Sequence, residues 1–88
     1  MADMTMVLAS LLTDATARAV LQEVARNRWL RFGDLLSGEP QVARQTAAAS
    51  VQKLQNLRLI DVKPSAIEDF NTVYITSDGL EASRKISG

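Results

Sequence analysis

Apolar and polar positions along the segment TAAASVQKLQNLRLI, residues 46–60, alternate with the three- and four-residue spacing of a helix. Ala47, Val51 and Leu54 share one apolar side. The chain then runs directly into a short stretch with β character, residues 59–62. This pattern predicts a helix that begins near Ala43 or Arg44, ends near Leu57 and is followed at once by a strand.

Two earlier segments have the same helical periodicity. Thr13 and Asp14 provide a plausible N-cap for a helix that runs to about Asn27. Residues 4–12 form a short helix of their own or extend this one. A second short helix is predicted over residues 32–37, and the turn cluster SGEP of residues 37–40 ends it. We expect the side chain of Val42 to pack into the core and so to hold this turn against it.

Three stretches have an extended character. Residues 29–32 predict a short strand, with Trp29 or Leu30 turned inward. Residues 59–63 and 72–76 alternate as two further strands, separated by a loop of residues 64–71 that is too long for a tight hairpin turn. The sequence TSDG, residues 76–79, then opens a final helix. The predicted order is helix, short strand, helix, helix, strand, strand, helix, within a single domain of residues 1–88.

Composition limits the chemistry available to the chain. Cys and His are both absent, which removes thiol nucleophiles, histidine bases and the usual zinc ligands. No phosphate-binding glycine loop or paired acid constellation is present, so we expect no enzymatic activity, cofactor or metal. Asp3 precedes a broken apolar stretch at the start, and no run reaches the length of a membrane span. We therefore expect a cytoplasmic protein without a membrane partner.

In three passages the chain resembles the winged helix-turn-helix transcriptional regulators of the MarR-like and ArsR-like kind. SLLTDATARAVLQEVARN is similar to their first helix, and FGDLLSGEPQVARQTAAASVQKLQNLRLIDV to their helix-turn-helix and entry into the wing. NTVYITSDGLEASRKI is similar to the outer wing strand and the helix beyond. The resemblance implies an α+β, mainly α fold: a three-helix core, a small antiparallel β-wing and a terminal helix. It also implies a homodimer that binds double-stranded DNA.

Two positions depart from the pattern of those families. Arg58 stands where they usually have glycine, at the end of the recognition helix. Glu68 and Asp69 occupy the predicted wing tip, where a wing that contacts DNA usually has Arg or Lys. The ten basic and ten acidic residues also balance, whereas a dedicated nucleic-acid binder usually has a basic excess.

The exposed side of the third predicted helix is the candidate DNA-binding surface. Arg and Gln can read base edges, Thr and Lys can hold phosphates, and Ala can contact a thymine methyl group. With two residues at the base of the wing and one from the first strand, the candidate DNA-binding residues are Arg44, Gln45, Thr46, Ala48, Ala49, Gln52, Lys53, Lys63, Asn71 and Arg31. The alternative is a solvated helix, because Ala and Gln favour helices in any case.

Other features leave alternatives open. Ile67 and Phe70 in the predicted wing have three alternatives: they belong to a wing that faces DNA, they form an apolar patch for a protein partner, or they pack under the wing to enlarge the core. The arginines at 26, 28 and 31 either approach flanking phosphates or are a solvated charge run. Trp29 is interpreted as a core or dimer contact, with base stacking as the alternative. Apolar residues at both ends, within residues 1–12 and 79–88, favour a homodimer. The alternative function is a winged helix that binds proteins, with weak or no DNA binding.

Overall fold

The computed structural model describes residues 4–37 and 42–87, which form an α+β fold that is mainly helical. In chain order the elements are α1 (Met4–Leu12), α2 (Ala15–Asn27), β1 (Trp29–Arg31), α3 (Phe32–Ser37), α4 (Arg44–Asn56), β2 (Ile60–Lys63), a 3-10 turn (Glu68–Phe70), β3 (Thr72–Ile75) and α5 (Ser77–Ser87). The predicted order of helices and strands is confirmed. The predicted turn at residues 38–40 lies outside the described residues.

Helix α2 begins where the sequence predicts. Asp14 is its N-cap, and Oδ1 of this residue accepts a hydrogen bond of 2.9 Å from the backbone N–H of Ala17. The cap satisfies a donor that the first turn of a helix leaves without a partner. The helix ends at Asn27, and its C-cap residue Arg28 has a φ of 71°, in the left-handed region that residues with a side chain rarely adopt.

The junction between α4 and β2 is a Schellman motif. The backbone N–H of Leu59 donates to the carbonyl of Leu54, and the N–H of Arg58 donates to the carbonyl of Gln55. This motif needs a left-handed residue at the position of Arg58, and its φ is 63°. Arg58, which replaces the glycine usual in the families that the sequence resembles, therefore has a backbone conformation that glycine adopts more readily.

The three strands form one antiparallel sheet in the order β1-β3-β2. Trp29 is opposite Tyr74 and Arg31 is opposite Thr72, while on the other side of β3 Tyr74 is opposite Asp61 and Thr72 is opposite Lys63. Leu30, Val73 and Ile60 point into the core, so the strands present the alternate residues on the outer face of the sheet.

The core joins residues from every helix and from the sheet. Its fully buried large side chains include Leu11, Leu21, Leu54, Leu59 and Ile60. The predicted apolar side of α4 is confirmed, because its three members are at most 8% exposed. Val42 packs against this core as expected.

Helix α5 packs closely against the α4–β2 junction at Gly79. A Cβ at Gly79 would overlap the carbonyl oxygen of Leu59 and would lie 2.7 Å from Cδ1 of Ile75. Thr76 fixes the same junction: its hydroxyl donates to the carbonyl of Arg58 at 2.8 Å and accepts from the N–H of Gly79 at 3.0 Å. The contact therefore requires that no side chain separates α5 from the α4–β2 junction.

The structure decides between core and surface at two places where the sequence leaves both open. Trp29 is 53% exposed, because in β1 it is Leu30 that points inward. Ile67 and Phe70 are 58% and 53% exposed and do not pack under the β2–β3 hairpin to enlarge the core. The core is formed by side chains from all five helices and the sheet, and Trp29, Ile67 and Phe70 are not among them.

Within residues 4–37 and 42–87, no single helix is long and apolar enough to cross a membrane. The helices α1 and α2 meet at a bend of 118°, and together they satisfy the same test by length and composition only.

Candidate functional site

The outward side of α4 carries most of the candidate DNA-binding residues. Gln45, Thr46, Ala48, Ala49 and Gln52 are all exposed, on the side opposite the buried one. Of these residues only Gln52 has a side-chain hydrogen bond in the part of the chain that the structure describes, from its Nε2 to Oδ1 of Asn56 at 3.0 Å. These side chains are therefore uncharged and exposed to solvent.

Arg44, at the start of α4, is exposed but is held by acids of the hairpin. Its Nη1 lies 2.5 Å from Oε1 of Glu68, and its Nη2 lies 2.8 Å from Oδ1 of Asp69. The hydrogen bonds to Asp69 first, and to Glu68 second, raise the pKa of this guanidinium further above its ordinary value. Its charge is therefore offset by the residues that the sequence places at the predicted wing tip.

Lys53 does not lie on the outward side of α4 where the sequence places it. Its Nζ donates to the carbonyl of Ser10 at 3.1 Å and to Oδ2 of Asp14 at 3.0 Å, and its side chain is 32% exposed. The hydrogen bond from Ala17, followed by that from Lys53, lowers the pKa of the Asp14 carboxyl. The lysine joins α4 to the α1–α2 junction and brings no free charge to the outward surface.

The remaining candidates lie on or beside the sheet. Arg31 and Lys63 are both exposed and are the two neighbours of Thr72, so they form one row across the outer face. Asn71 is half-buried, and its Oδ1 accepts a 2.7 Å hydrogen bond from the N–H of Ser65, which braces the loop. Arg31 and Lys63 are thus brought together, whereas Asn71 serves the hairpin itself.

The pairing of two aromatic rings on one face of the sheet is the feature that the sequence does not reveal, although it leaves base stacking by Trp29 as an alternative. Trp29 and Tyr74 are adjacent across β1 and β3, and they are 53% and 39% exposed. Period-two alternation places each residue on one face of its strand, but only the register shows that the two faces coincide. Phe70 lies beyond them, with Cζ of Arg31 5.7 Å from the centre of its ring.

Most of the cations around the sheet have no acid partner. Within residues 4–37 and 42–87, the charged groups of Arg28, Arg31, Arg58, Lys63 and Arg84 form no ion pair. Arg26 differs, because it pairs with Glu23. Arg28 and Arg84 line one surface cavity of about 370 Å³, and Arg58 lines another of about 480 Å³ together with Asp61. The sequence indicates the basic cluster but not which of its members are unpaired.

The described residues contain no group of three or more acidic side chains arranged to hold a metal ion. In comparisons with known proteins, no family model matches the chain, and no curated protein or solved structure matches it. The interpretation of its function therefore depends on the surfaces described above.

Proposed function

We propose that this chain is a small winged-helix regulator that binds double-stranded DNA, with α4 in the major groove. The observation that carries the proposal is the outward side of α4, an exposed surface of amides, a hydroxyl and methyl groups. The order of elements and the strand order β1-β3-β2 support the interpretation of α3 and α4 as a helix-turn-helix and of residues 64–71 as a wing.

The side chains on this surface suit base edges better than phosphates. A glutamine amide can donate to and accept from adenine in the major groove, and an alanine methyl can contact a thymine methyl. Gln45 and Gln52 supply the amides, and Ala48 and Ala49 supply the methyl groups. The small side chains also allow the helix backbone to approach the groove closely.

The phosphate contacts would come mainly from Arg31 and Lys63, because Arg44 and Lys53 are engaged by acids. Each neutralised phosphate adds a nearly fixed increment to the dependence of affinity on salt. We therefore expect weaker DNA binding and a shallower salt dependence than a basic chain of this size would have.

The regulator would act as a homodimer on half-sites about one helical turn apart. Met6 and Leu12 on α1 are 71% and 67% exposed, and both are apolar, which supports a subunit contact through the first helix. A cytoplasmic location is part of the same proposal.

A charge placed on α4 tests the proposal. Ala49→Glu would put a carboxylate into the groove and should weaken binding at least tenfold, because it faces phosphates and base edges. Ala19→Glu is the matched control, since Ala19 is exposed on α2. The measurement is a mobility-shift titration with randomised duplexes spanning about two helical turns. Equal effects of the two substitutions would reject α4 as the DNA-contacting helix.

A second candidate function is protein binding through the hairpin, and the exposure of Ile67 and Phe70 favours it. A protein partner would cover these side chains, with Glu68 and Asp69 as a polar rim. Phe70→Glu should then abolish capture of that partner. Nanomolar binding of duplex DNA at physiological salt would argue for the first candidate instead.

A further inference from the structure

The outer face of the sheet has an aromatic pair at its centre. The N–H of Ile75 donates to the carbonyl of Arg28, and the N–H of Phe32 donates to the carbonyl of Asn71. With this pattern, Trp29 and Tyr74 form a pair without mutual backbone hydrogen bonds, in which side chains approach most closely. Both rings are exposed, so the pair presents a broad aromatic surface to solvent.

A third ring and a cation extend this surface toward the hairpin. Arg31 follows Trp29 by two residues and therefore shares its face, and the guanidinium of Arg31 lies over the ring of Phe70 at 5.7 Å. Three of the four aromatic residues in the chain are thus more than a third exposed. Aromatic rings usually contribute to the core of a small domain. Packing of the core therefore does not explain why these three rings are exposed.

Among the described residues, the charges around the rings that have no ion-pair partner are mostly positive. Arg31 and Lys63 form the row next to the aromatic pair, and neither has an ion-pair partner among the described residues. Two acids belong to the same surroundings. Asp34 accepts a hydrogen bond from the N–H of Arg31, and Asp61, beside Tyr74, lines the cavity that Arg58 also lines. Counted with Arg58, three cations without an ion pair among the described residues stand against these two acids, while Glu68 and Asp69, next to Phe70, are bound by Arg44.

We propose that this face binds single-stranded nucleic acid, with two bases stacked on Trp29 and Tyr74 and phosphates held by Arg31 and Lys63. Exposed rings with cations beside them are the arrangement that recognises single strands, because every base has a face that can stack. A duplex keeps its bases stacked on one another, so the rings offer it nothing comparable. The positive charges of Arg31 and Lys63 beside the rings also favour a nucleic-acid strand over an apolar protein surface.

The only tryptophan of the chain is itself the reporter for this site. Titration of the whole chain with an oligothymidylate and with an oligouridylate should quench the fluorescence of Trp29, because stacked bases cover the indole. Raising the salt concentration should weaken both titrations. The ratio of the two affinities shows whether the natural strand is DNA or RNA, since only RNA offers the 2′-hydroxyl.

Substitutions of exposed residues test the contributions of base stacking and of phosphate contact without disturbing the core. With a labelled oligonucleotide and anisotropy as the measurement, Trp29→Ala and Tyr74→Ala should each lower the affinity about tenfold, the size expected for one lost base stack. Arg31→Gln should reduce the slope of affinity against salt by about one phosphate contact. Arg26→Gln is the control, because Arg26 is exposed and its charge is paired with Glu23.

Two results would overturn the proposal. One is the absence of quenching with both oligonucleotides at low salt. The other is self-association of the chain that Trp29→Ala abolishes, which would assign the face to a second copy. The site shares Arg31 and Lys63 with the proposed duplex contacts, but its rings and the outward side of α4 are separate: Ala49→Glu should leave single-strand binding intact, and Trp29→Ala should leave duplex binding intact. Failure of either proposal is therefore recognisable by itself.

Discussion

The outward side of α4 and the outer face of the sheet differ in how their charges are used. The two cations of α4 are both bound by acids, Arg44 by Glu68 and Asp69, and Lys53 by Asp14. The cations beside the sheet, Arg31 and Lys63 among them, have no such partner in the described part of the chain. The outward side of α4, which the sequence favours for base contacts, is thus neutral, whereas the outer face of the sheet keeps two candidate cations without an ion pair.

This difference shows why a balanced total charge says little about binding. A formal net charge of zero is compatible with one region whose charges cancel locally and another whose charges remain open. An exposed ion pair adds little to folding stability, but it removes a cation from the set available to phosphates. Which lysines and arginines are paired therefore matters more here than their number.

The largest effect should come from breaking the junction that holds both surfaces in place. Gly79→Ala would push a methyl group into the Leu59 carbonyl and Ile75, and should lower the free energy of unfolding by about 3 kcal/mol. Both binding activities should weaken together. Urea unfolding measures the loss, with Gly33→Ala as the control, because the added carbon there would lie 3.2 Å from Asp69. A change under about 1 kcal/mol is expected for the control.

The next effect should come from releasing Arg44. Glu68→Gln combined with Asp69→Asn removes both acids that bind it and should raise duplex affinity about tenfold at low salt, with a steeper salt dependence. Single-strand binding should gain less, since Arg44 belongs to α4. Asp78→Asn with Glu81→Gln removes the same charge from α5 and is the control. Equal gains from the two double variants would show that only total charge matters.

A smaller effect should separate the backbone role of Arg58 from its charge. Arg58→Gly should stabilise the fold by about 1 kcal/mol, because glycine adopts the left-handed conformation without steric cost. The thermal midpoint should rise by about 4–8 °C. Arg58→Ala loses the same charge but keeps the Cβ, so it should show no gain. A fall in the midpoint of the glycine variant would mean that the guanidinium holds the junction.

The smallest effect should come from the Asp14–Lys53 pair, and it should depend on pH. The folded state lowers the pKa of Asp14, so its contribution to stability is complete above the ordinary aspartate range and is lost as the pH falls through the lowered value. Asp14→Asn keeps the N-cap but removes this charge. Its unfolding free energy should therefore decline less steeply than that of the natural chain below about pH 4.

The same variant also bears on α4, because it releases Lys53 from its carboxylate. A modest gain in duplex affinity is expected if the freed lysine can turn outward. Thermal unfolding across a pH series gives the first readout and a mobility shift at neutral pH gives the second. Parallel pH curves for the two proteins would show that Asp14 does not titrate differently in the folded state.

Local patterns were sufficient to predict the elements of the fold. The N-cap at Asp14, the apolar side of α4 and the alternation in β3 each depend on residues within a few positions of one another. The end of α4 near Arg58 likewise depends on residues that are close together in the sequence. For this reason the order of helices and strands, and the buried side of α4, follow from the amino-acid sequence alone.

The composition of the two surfaces depended instead on residues far apart in the chain. Arg44 meets Glu68 across 24 positions, and Lys53 meets Asp14 across 39. Trp29 and Tyr74 share a face only because of the register between β1 and β3, and a shift of one residue would place them on opposite faces. The sequence by itself determined the elements and the core, because these follow from local periodicity. Packing and strand register decided which charges are paired and which rings are exposed.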